Sequence, residues 1–203
     1  MAKQLPFRLI LASASRGRRE LLEMAGYPFE VQPANIDEPT GEGWTDPRSL
    51  VHHISWLKAA AMAPRFADGV IIAADTLGWI DGRPIGKPAD EADARRIITT
   101  LSGREHELWT GVCLWRRPDN MQFCWQEVSK VFMRAMASAE VETYLKTRLW
   151  QGCAGAYAVE LEGDPYVYVA SGSTSNVIGL PMESLEIVLG WFSVGNALPS
   201  LEG

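Results

Sequence analysis

Residues Val70 to Pro88 read VIIAADTLGWIDGRPIGKP, and this stretch decides how the rest of the chain is interpreted. Val70 to Ala74 are apolar or small and end in Asp75, a pattern typical of a buried strand followed by an acid. Ligands of α/β proteins bind at the carboxyl ends of strands, so we expect Asp75 to lie at a functional site. The turn Asp81–Gly82 would form a hairpin and bring Lys87 back beside Asp75.

A carboxylate, the hydroxyl of Thr76 and an ammonium on one hairpin would suit an anionic substrate with a metal ion. The alternative is an aspartate that caps a turn and a solvated lysine, which is the commoner situation for a single acid. The other motifs of the chain favour the functional interpretation.

The length of 203 residues is sufficient for one sizeable core, and we expect a single domain that spans residues 1–203. Hydrophobic residues make up 47% of the chain and charged residues 22%, as in ordinary globular proteins. The net charge of -6 argues against a nucleic-acid surface, which needs a broad basic patch. A small polyanion in a local basic pocket is compatible with this charge.

The cysteines and the N-terminus indicate the cellular compartment. Cys113, Cys124 and Cys153 are odd in number and form no CxxC pair, so neither a disulfide framework nor a zinc site is indicated. Met1 to Arg8 lacks the apolar core of a signal peptide, and no run approaches the length of a membrane span. We therefore expect a cytoplasmic protein without membrane association.

An arginine-rich turn follows the first predicted strand, Phe7 to Ala12, and precedes a helix predicted over Glu20 to Ala25. The turn reads SASRGRR, and its arginines are Arg16, Arg18 and Arg19. Cations at a helix N-terminus are unfavourable unless an anion binds there. Free backbone N–H groups, the Ser13 and Ser15 hydroxyls and a guanidinium would together form a phosphate site. The alternative is a solvated basic turn with Ser15 as N-cap.

The next two segments offer a carboxylate loop and a lysine. The loop from Asn35 to Trp44 carries three acids, Asp37, Glu38 and Glu42, which could bind a hard divalent cation or simply be solvated. Asp46 and Pro47 are expected to start a helix, with Lys58 at the edge of its apolar stripe. We assign no catalytic role to His52, His53 or His106.

The remaining chain alternates further helices and strands. They are predicted as a helix from Asp90 to Gly103, paired strands Glu107–Trp115 and Phe123–Met133, a helix from Ser138 to Leu149, a hairpin of Ala156–Leu161 with Tyr166–Val169, a polar loop Ser171–Asn176 and a last helix from Pro181 to Leu189.

Taken together, these motifs resemble the Maf family of nucleoside triphosphate pyrophosphatases over nearly the whole chain. The blocks that carry the resemblance, in order, are LASASRGRRELL (residues 11–22), AADT (73–76), GKP (86–88), LSGREHELWTGV (101–112), AGAYAVE (154–160) and SNVIGLP (175–181). The resemblance implies the α/β class, with a mixed twisted sheet flanked by helices and a central cleft, akin to the inosine triphosphatase-like enzymes. It also implies a homodimer and Mg²⁺- or Mn²⁺-dependent hydrolysis to a nucleoside monophosphate and pyrophosphate.

The resemblance also assigns roles to individual residues, some inside these blocks and two, Glu38 and Lys58, outside them. Asp75 corresponds to the general base or metal-bound carboxylate, and Glu38 to a carboxylate near the metal. The triphosphate-binding residues correspond to Ser13, Arg18, Lys58 and Lys87. Three positions would govern substrate specificity, and they are Gly17, Thr76 and Glu160.

These specificity positions give conflicting signals, so the nucleobase stays open. Gly17 stands where the family carries Arg or Trp, and Arg16 stands where its loop has Pro. Thr76 is similar to the branch acting on dTTP and UTP, whereas Glu160 is similar to the 7-methyl-GTP branch. A glutamate accepts hydrogen bonds but cannot donate one to a uracil carbonyl.

We therefore carry two hypotheses. The first is a metal-dependent pyrophosphatase that removes non-canonical or surplus nucleotides as a house-cleaning enzyme. The second is a non-catalytic nucleotide-binding regulator of cell division and septum formation. Both need the arginine turn, the acidic loop and the Asp75 hairpin to converge on one cavity.

Overall fold

The computed structural model describes residues 3–39, 43–157 and 164–194. The strands are β1 (Leu9–Leu11), β2 (Phe29–Val31), β3 (Gly69–Ile80), β4 (Arg83–Ile85), β5 (Glu105–Arg117), β6 (Gln122–Met133) and β7 (Val167–Ser171). The helices are α1 (Arg16–Met24), α2 (Pro47–Met62), α3 (Glu91–Leu101), α4 (Ser138–Thr147), α5 (Thr174–Ile178) and α6 (Met182–Val194), with short 3₁₀ turns at Ala63–Arg65 and Ala154–Ala156.

The strands form one mixed sheet, which confirms the predicted α/β class. Their order is β2-β1-β3-β5-β6-β7, with β4 paired to β3 off this path. β1 runs parallel to both β2 and β3, whereas β3, β5, β6 and β7 pair antiparallel to one another in turn. No helix in the described part of the chain has both the length and the apolar character needed to cross a bilayer.

The prediction that a strand ends just before Asp75 is wrong. β3 continues to Ile80, and Asp75 lies in its interior, opposite Gly111 of β5. The strand extends because β5 is long enough to satisfy its backbone N–H and C=O groups all the way. Asp75 lies instead beyond the end of β1, which pairs with β3 only as far as Ile72. The carboxyl end of a strand still defines the site, but the strand is β1.

Several local predictions are confirmed. Asp81 and Gly82 both have positive φ, 51° and 73°, as a two-residue hairpin turn between β3 and β4 requires. Asp46 caps α2 by accepting hydrogen bonds from the backbone N–H groups of Arg48 and Ser49. Ser15, the N-cap in the alternative interpretation of the arginine turn, caps α1 in the same way, by accepting from the N–H of Arg18.

Other boundaries differ from the prediction. α1 begins at Arg16 rather than at Glu20, because the Ser15 cap includes the arginine turn in the helix. The predicted loop over residues 171–176 contains the start of α5, capped by Ser173. The first arm of the predicted hairpin over residues 156–161 lies mostly outside the described residues, and β7 pairs with β6 instead.

Helices cover both faces of the sheet. Side chains of β3 point alternately to the two faces, so neighbouring residues of β3 pack against different helices. Ile71 and Ala73 pack in a buried cluster with residues of α2. Ile72 and Ala74 pack on the opposite face with residues of α1 and α6. Successive side chains of a strand point to opposite faces, so Asp75 faces the α2 side and Thr76 the other.

Candidate functional site

A cavity of about 1130 Å³ opens where β1 ends and α1 begins. The predicted site residues that line it are Ser13, Gly17, Arg18, Glu38, Lys58, Asp75, Thr76 and Lys87. The arginine turn, the acidic loop and the β3–β4 hairpin therefore converge, which confirms the predicted juxtaposition. Cavities that bind small molecules are commonly 300–1,000 Å³, so a molecule as large as a nucleotide would fit.

Lys58 of α2 bridges two carboxylates on the cavity wall. Its Nζ lies 2.7 Å from Oδ1 of Asp75 and 2.9 Å from Oε1 of Glu38. The side chains of Lys58 and Asp75 are only 10% and 12% exposed, whereas that of Glu38 is 41% exposed. Lys58 therefore reaches into the cavity rather than snorkelling to solvent, and it neutralises a buried acid.

A glycine lets α2 come this close to the sheet. A Cβ atom added to Gly111, the cross-strand partner of Asp75, would lie 2.3 Å from the backbone oxygen of Val51 in α2. No side chain fits in that space, so the helix packs directly on the strand. This approach brings Lys58, two turns further along α2, over Asp75.

Arg18 is the arginine that enters the cavity. Its Nε donates to the carbonyl oxygen of Gly179 at 2.7 Å, Nη1 to Oγ of Ser13 at 3.0 Å and Nη2 to Oγ1 of Thr76 at 3.0 Å. Burial lowers the pKa of the Arg18 guanidinium, and the nearby charges of Asp75 and Glu38 partly oppose that shift. A guanidinium has five N–H donors, so two remain for a ligand.

The expected cluster of three arginines is wrong for Arg19, and Arg16 only borders the cavity at its exposed edge. The side chain of Arg16 is 89% exposed and pairs with Glu20 of the same helix. Arg19 is exposed and does not line the cavity. Helical geometry separates successive side chains by about 100°, and of these three arginines Arg18 alone is buried.

A chain of hydroxyl groups holds Thr76 against Arg18. Thr110 of β5 donates its only hydroxyl proton to the backbone oxygen of Asn176, at 2.9 Å. Thr76 and Thr110 lie 3.0 Å apart, so Thr76 must be the donor between them. The oxygen of Thr76 then accepts a hydrogen bond from Arg18. The other end of this series of hydrogen bonds is the backbone oxygen of Asn176 in α5, a fully buried residue.

Two of the three predicted specificity positions, Gly17 and Thr76, are described, and both line the cavity. A Cβ at Gly17 would lie 2.7 Å from Cγ2 of Ile178, so α5 packs where a larger side chain would stand. The hydroxyl of Thr76 donates its hydrogen bond to the hydroxyl of Thr110. Glu160 lies outside the described residues.

Lys87 lies at the exposed rim of the cavity and makes no hydrogen bond to any residue of the described ranges. Its ammonium lies close enough to Cys153 to influence that thiol, whose pKa burial raises and Lys87 lowers. Lys87 is thus a cation available to a ligand entering from solvent.

Deeper in the fold, His106 Nε2 lies 2.5 Å from the hydroxyl of Tyr157, a residue of the cavity wall. Burial lowers the pKa of His106 to about 4, so the imidazole is neutral at pH 7. His106 itself does not line the cavity.

Sequence reasoning left four contributing residues without a role. They are Thr110, Gly111, Asn176 and Gly179, all inside motif blocks used for the resemblance. Their roles depend on contacts between distant segments, which no local pattern reveals. The glycine of the WTGV block was the one available signal, since a glycine inside a strand often marks a close backbone approach.

Two carboxylates of the cavity would suit a divalent cation. Asp75 and Glu38 contact one ammonium, so their oxygens are close enough to share a cation. Within the described ranges, no group of three or more His, Cys, Asp or Glu could hold a metal alone. Mg²⁺ is usually bound by one or two carboxylates together with substrate phosphates, and the donors here fit that mode.

Comparison with known proteins gives matches over most of the chain. The family model for Maf-like proteins matches residues 8–192. A dTTP/UTP pyrophosphatase of Rhodopirellula baltica is 37% identical over 186 residues, covering 91% of this chain and 82% of that protein. The dTTP/UTP pyrophosphatase of Carboxydothermus hydrogenoformans is 37% identical over 178 residues, covering 88% and 95%.

Among solved structures, the Staphylococcus aureus Ham1 protein shares the fold, with a TM-score of 0.51 at 12% identity. The match covers 91% of this chain and 97% of that protein. The family model spans nearly all of the chain, and the two relatives exceed 30% identity along most of their own length. The resemblance seen in the sequence is thereby confirmed, and the chain belongs to the Maf family.

Proposed function

We propose that this protein is a nucleoside triphosphate pyrophosphatase that hydrolyses the bond between the α and β phosphates. The products are a nucleoside monophosphate and pyrophosphate. The observation that carries the proposal is the convergence of Arg18, Lys58 and Asp75 on one cavity. The names of the relatives from R. baltica and C. hydrogenoformans support the same reaction.

The triphosphate would bind at the start of α1. Arg18 has two N–H groups left for phosphate oxygens, and its other three are held by protein acceptors that fix its orientation. Helix N-termini attract anions, and the backbone N–H groups after Ser13 add to this. Lys87 at the rim and Lys58 on the wall supply further positive charge.

Asp75 is the residue placed to orient the attacking water and take up its proton. Its Oδ1 contacts Lys58, which leaves Oδ2 available for such a water. Phosphoryl chemistry depends chiefly on positioning and on stabilising charge, so one base with several cations is sufficient protein machinery.

We propose Mg²⁺ or Mn²⁺ as the cofactor, held by Asp75 and Glu38 together with the substrate. When bound, such a cation neutralises phosphate charge and makes water a better nucleophile. Lys58 would release one or both carboxylates as the cation and triphosphate enter, and its ammonium would remain beside the phosphates.

The substrate set is proposed as non-canonical or surplus nucleotides, with dTTP and UTP to be tested first because the relatives carry those names. Gly17, Thr76 and Glu160 are proposed to influence the choice of base. At Gly17 the contribution would come from Ile178, which occupies the adjacent space.

The test is pyrophosphate release from a panel of canonical and modified triphosphates with Mg²⁺ or Mn²⁺. Asp75→Asn should lower the rate by about 10²- to 10⁴-fold, the usual contribution of a general base. Asp68→Asn is the matched control, because the side chain of Asp68 is 70% exposed and pairs with Arg8, away from the cavity. Wild-type rates in Asp75→Asn, or no pyrophosphate from any nucleotide at high enzyme concentration, would refute the proposal.

The second candidate is a non-catalytic nucleotide-binding regulator of cell division and septum formation. The altered arginine turn favours it, since Gly17 has no side chain to offer a ligand. Tight triphosphate binding without turnover would support this candidate. For either function we propose a cytoplasmic homodimer, and a monomeric mass by light scattering at micromolar concentration would contradict the dimer.

A further inference from the structure

Two cysteines far apart in the sequence lie directly opposite each other in the sheet. Cys113 of β5 and Cys124 of β6 are register partners in the antiparallel ladder. Directly opposed residues of neighbouring strands project to the same face. The side chains of Cys113 and Cys124 contact each other there, and both are free thiols.

The backbone hydrogen bonds identify which kind of pair this is. At one end of the ladder the N–H of Arg116 donates to the oxygen of Met121, and at the other the N–H of Met133 donates to the oxygen of Arg104. Hydrogen-bonded pairs alternate with non-hydrogen-bonded ones, so even-numbered residues of β5 are hydrogen-bonded. Cys113 is therefore in a non-hydrogen-bonded pair.

This pair type brings the two cysteines within disulfide range. The Cα atoms of a non-hydrogen-bonded pair are about 4.5 Å apart. Disulfides span Cα separations of about 4.4–6.8 Å, so a bond could form without moving the backbone. The separation is at the short end of that range, which favours a bond that reductants readily open.

The two thiols differ in a way that assigns their roles. Cys113 is fully buried, whereas Cys124 is partly exposed to solvent. The neighbouring thiol of Cys124 raises the pKa of Cys113, with burial acting in the same direction. The neighbouring thiol of Cys113 lowers the pKa of Cys124, although burial opposes that shift. Cys124 is thus the accessible thiol and the one that ionises more easily.

We propose that Cys113 and Cys124 form a reversible cross-strand disulfide when the protein meets a peroxide. The thiolate of Cys124 attacks one peroxide oxygen and breaks the O–O bond, giving a sulfenic acid and hydroxide, which is protonated to water. The sulfur of Cys113 then attacks that of Cys124, the S–O bond breaks, and water leaves with the Cys113 proton. Two thiols are oxidised by two electrons, and hydrogen peroxide is reduced to two waters.

The pair lies under the helix that carries Lys58. Cys113 packs in the buried cluster that includes Ala59 and Met62 of α2, and Cys124 packs against the same cluster. Oxidation would therefore draw the two sulfurs together beneath the site wall. The proposal itself concerns the disulfide and does not depend on the enzymatic activity.

The experiment treats the reduced full-length protein with hydrogen peroxide, alkylates the remaining thiols and measures intact mass and peptide linkage. Wild type should carry one alkyl group instead of three, its mass apart from the alkyl groups should fall by about 2 Da, the two thiol hydrogens, and peptide mapping should join residues 113 and 124. Cys153→Ser is the matched control and should behave the same, because Cys153 lies at the cavity rim beside Lys87. Dithiothreitol should reverse the change in both proteins.

The variants of the pair sharpen the result. Cys113→Ser should not form the disulfide, and its Cys124 should accumulate a sulfenic acid that dimedone traps. If that buried substitution impairs folding, peptide mapping of wild type and Cys153→Ser still decides the question. Unchanged mass and thiol content under peroxide, or a linkage to Cys153 or to a second chain, would overturn the proposal.

Discussion

Replacing Lys58 by Met would leave the buried carboxylate of Asp75 without its partner. The Nζ–Oδ1 distance is 2.7 Å, and both side chains are about nine-tenths buried. Breaking a buried ion pair by removing one member typically costs about 3–5 kcal/mol. Cavity water can partly solvate Asp75, so we expect the lower end, about 3 kcal/mol of unfolding free energy. That corresponds to a fall in Tm of about 6–12 °C.

Urea denaturation and thermal unfolding would measure the effect, with two double variants as internal controls. Lys58→Met/Asp75→Asn should recover most of the lost stability, because the unpaired charge is gone. Lys58→Met/Glu38→Gln should recover little, since the Glu38 side chain is 41% exposed and already solvated. Mg²⁺ at 100 times its dissociation constant for Lys58→Met should stabilise that variant by about 2.7 kcal/mol and stabilise wild type less, because Lys58 competes for the same carboxylates in wild type.

A free energy of unfolding for Lys58→Met within about 0.5 kcal/mol of the wild-type value, the range of ordinary surface substitutions, would refute the predicted cost of the unpaired charge. No recovery of stability on adding Asp75→Asn would refute it as well, because the stability lost in Lys58→Met would then come from packing rather than from an unpaired charge. An unchanged response to Mg²⁺ would count against the shared cation site formed by Asp75 and Glu38.

Three further perturbations test the scaffold of the site. Thr110→Val should lower the free energy of unfolding by about 1–3 kcal/mol and also lower kcat/KM, because the buried backbone oxygen of Asn176 loses its hydrogen-bond donor. Thr110→Ser keeps the hydroxyl and should retain wild-type stability in denaturation assays and wild-type kcat/KM in rate assays. Gly111→Ala should cost about 3 kcal/mol in the same denaturation assay, since its Cβ would meet the Val51 oxygen at 2.3 Å; a near-neutral result would mean that α2 shifts freely. The lowered pKa of His106, about 4 against 6.5, means that the unfolded chain binds its proton first, so stability should fall by about 3 kcal/mol from pH 6.5 to pH 4. His106→Gln should flatten that pH profile.

Local chemistry was enough to predict the fold class and several boundaries. Ser15 and Asp46 cap their helices through hydrogen bonds to residues two or three positions ahead, so the neighbouring sequence determines those starts. The Asp81–Gly82 turn likewise needs only residues that tolerate positive φ. The family resemblance further allowed Arg18, Lys58 and Asp75 to be assigned to one site before any distance was known.

Tertiary structure decided everything that depends on pairing between distant segments. β3 extends past Asp75 because β5 satisfies its backbone, and the strand alternation sends Asp75 to Lys58 but Thr76 to Arg18. Burial of one guanidinium among three is likewise a property of how α1 docks on the sheet. Cys113 meets Cys124 only through the β5–β6 register. Such contacts have high sequence separation, and their geometry follows from which strands pair, which no local pattern encodes.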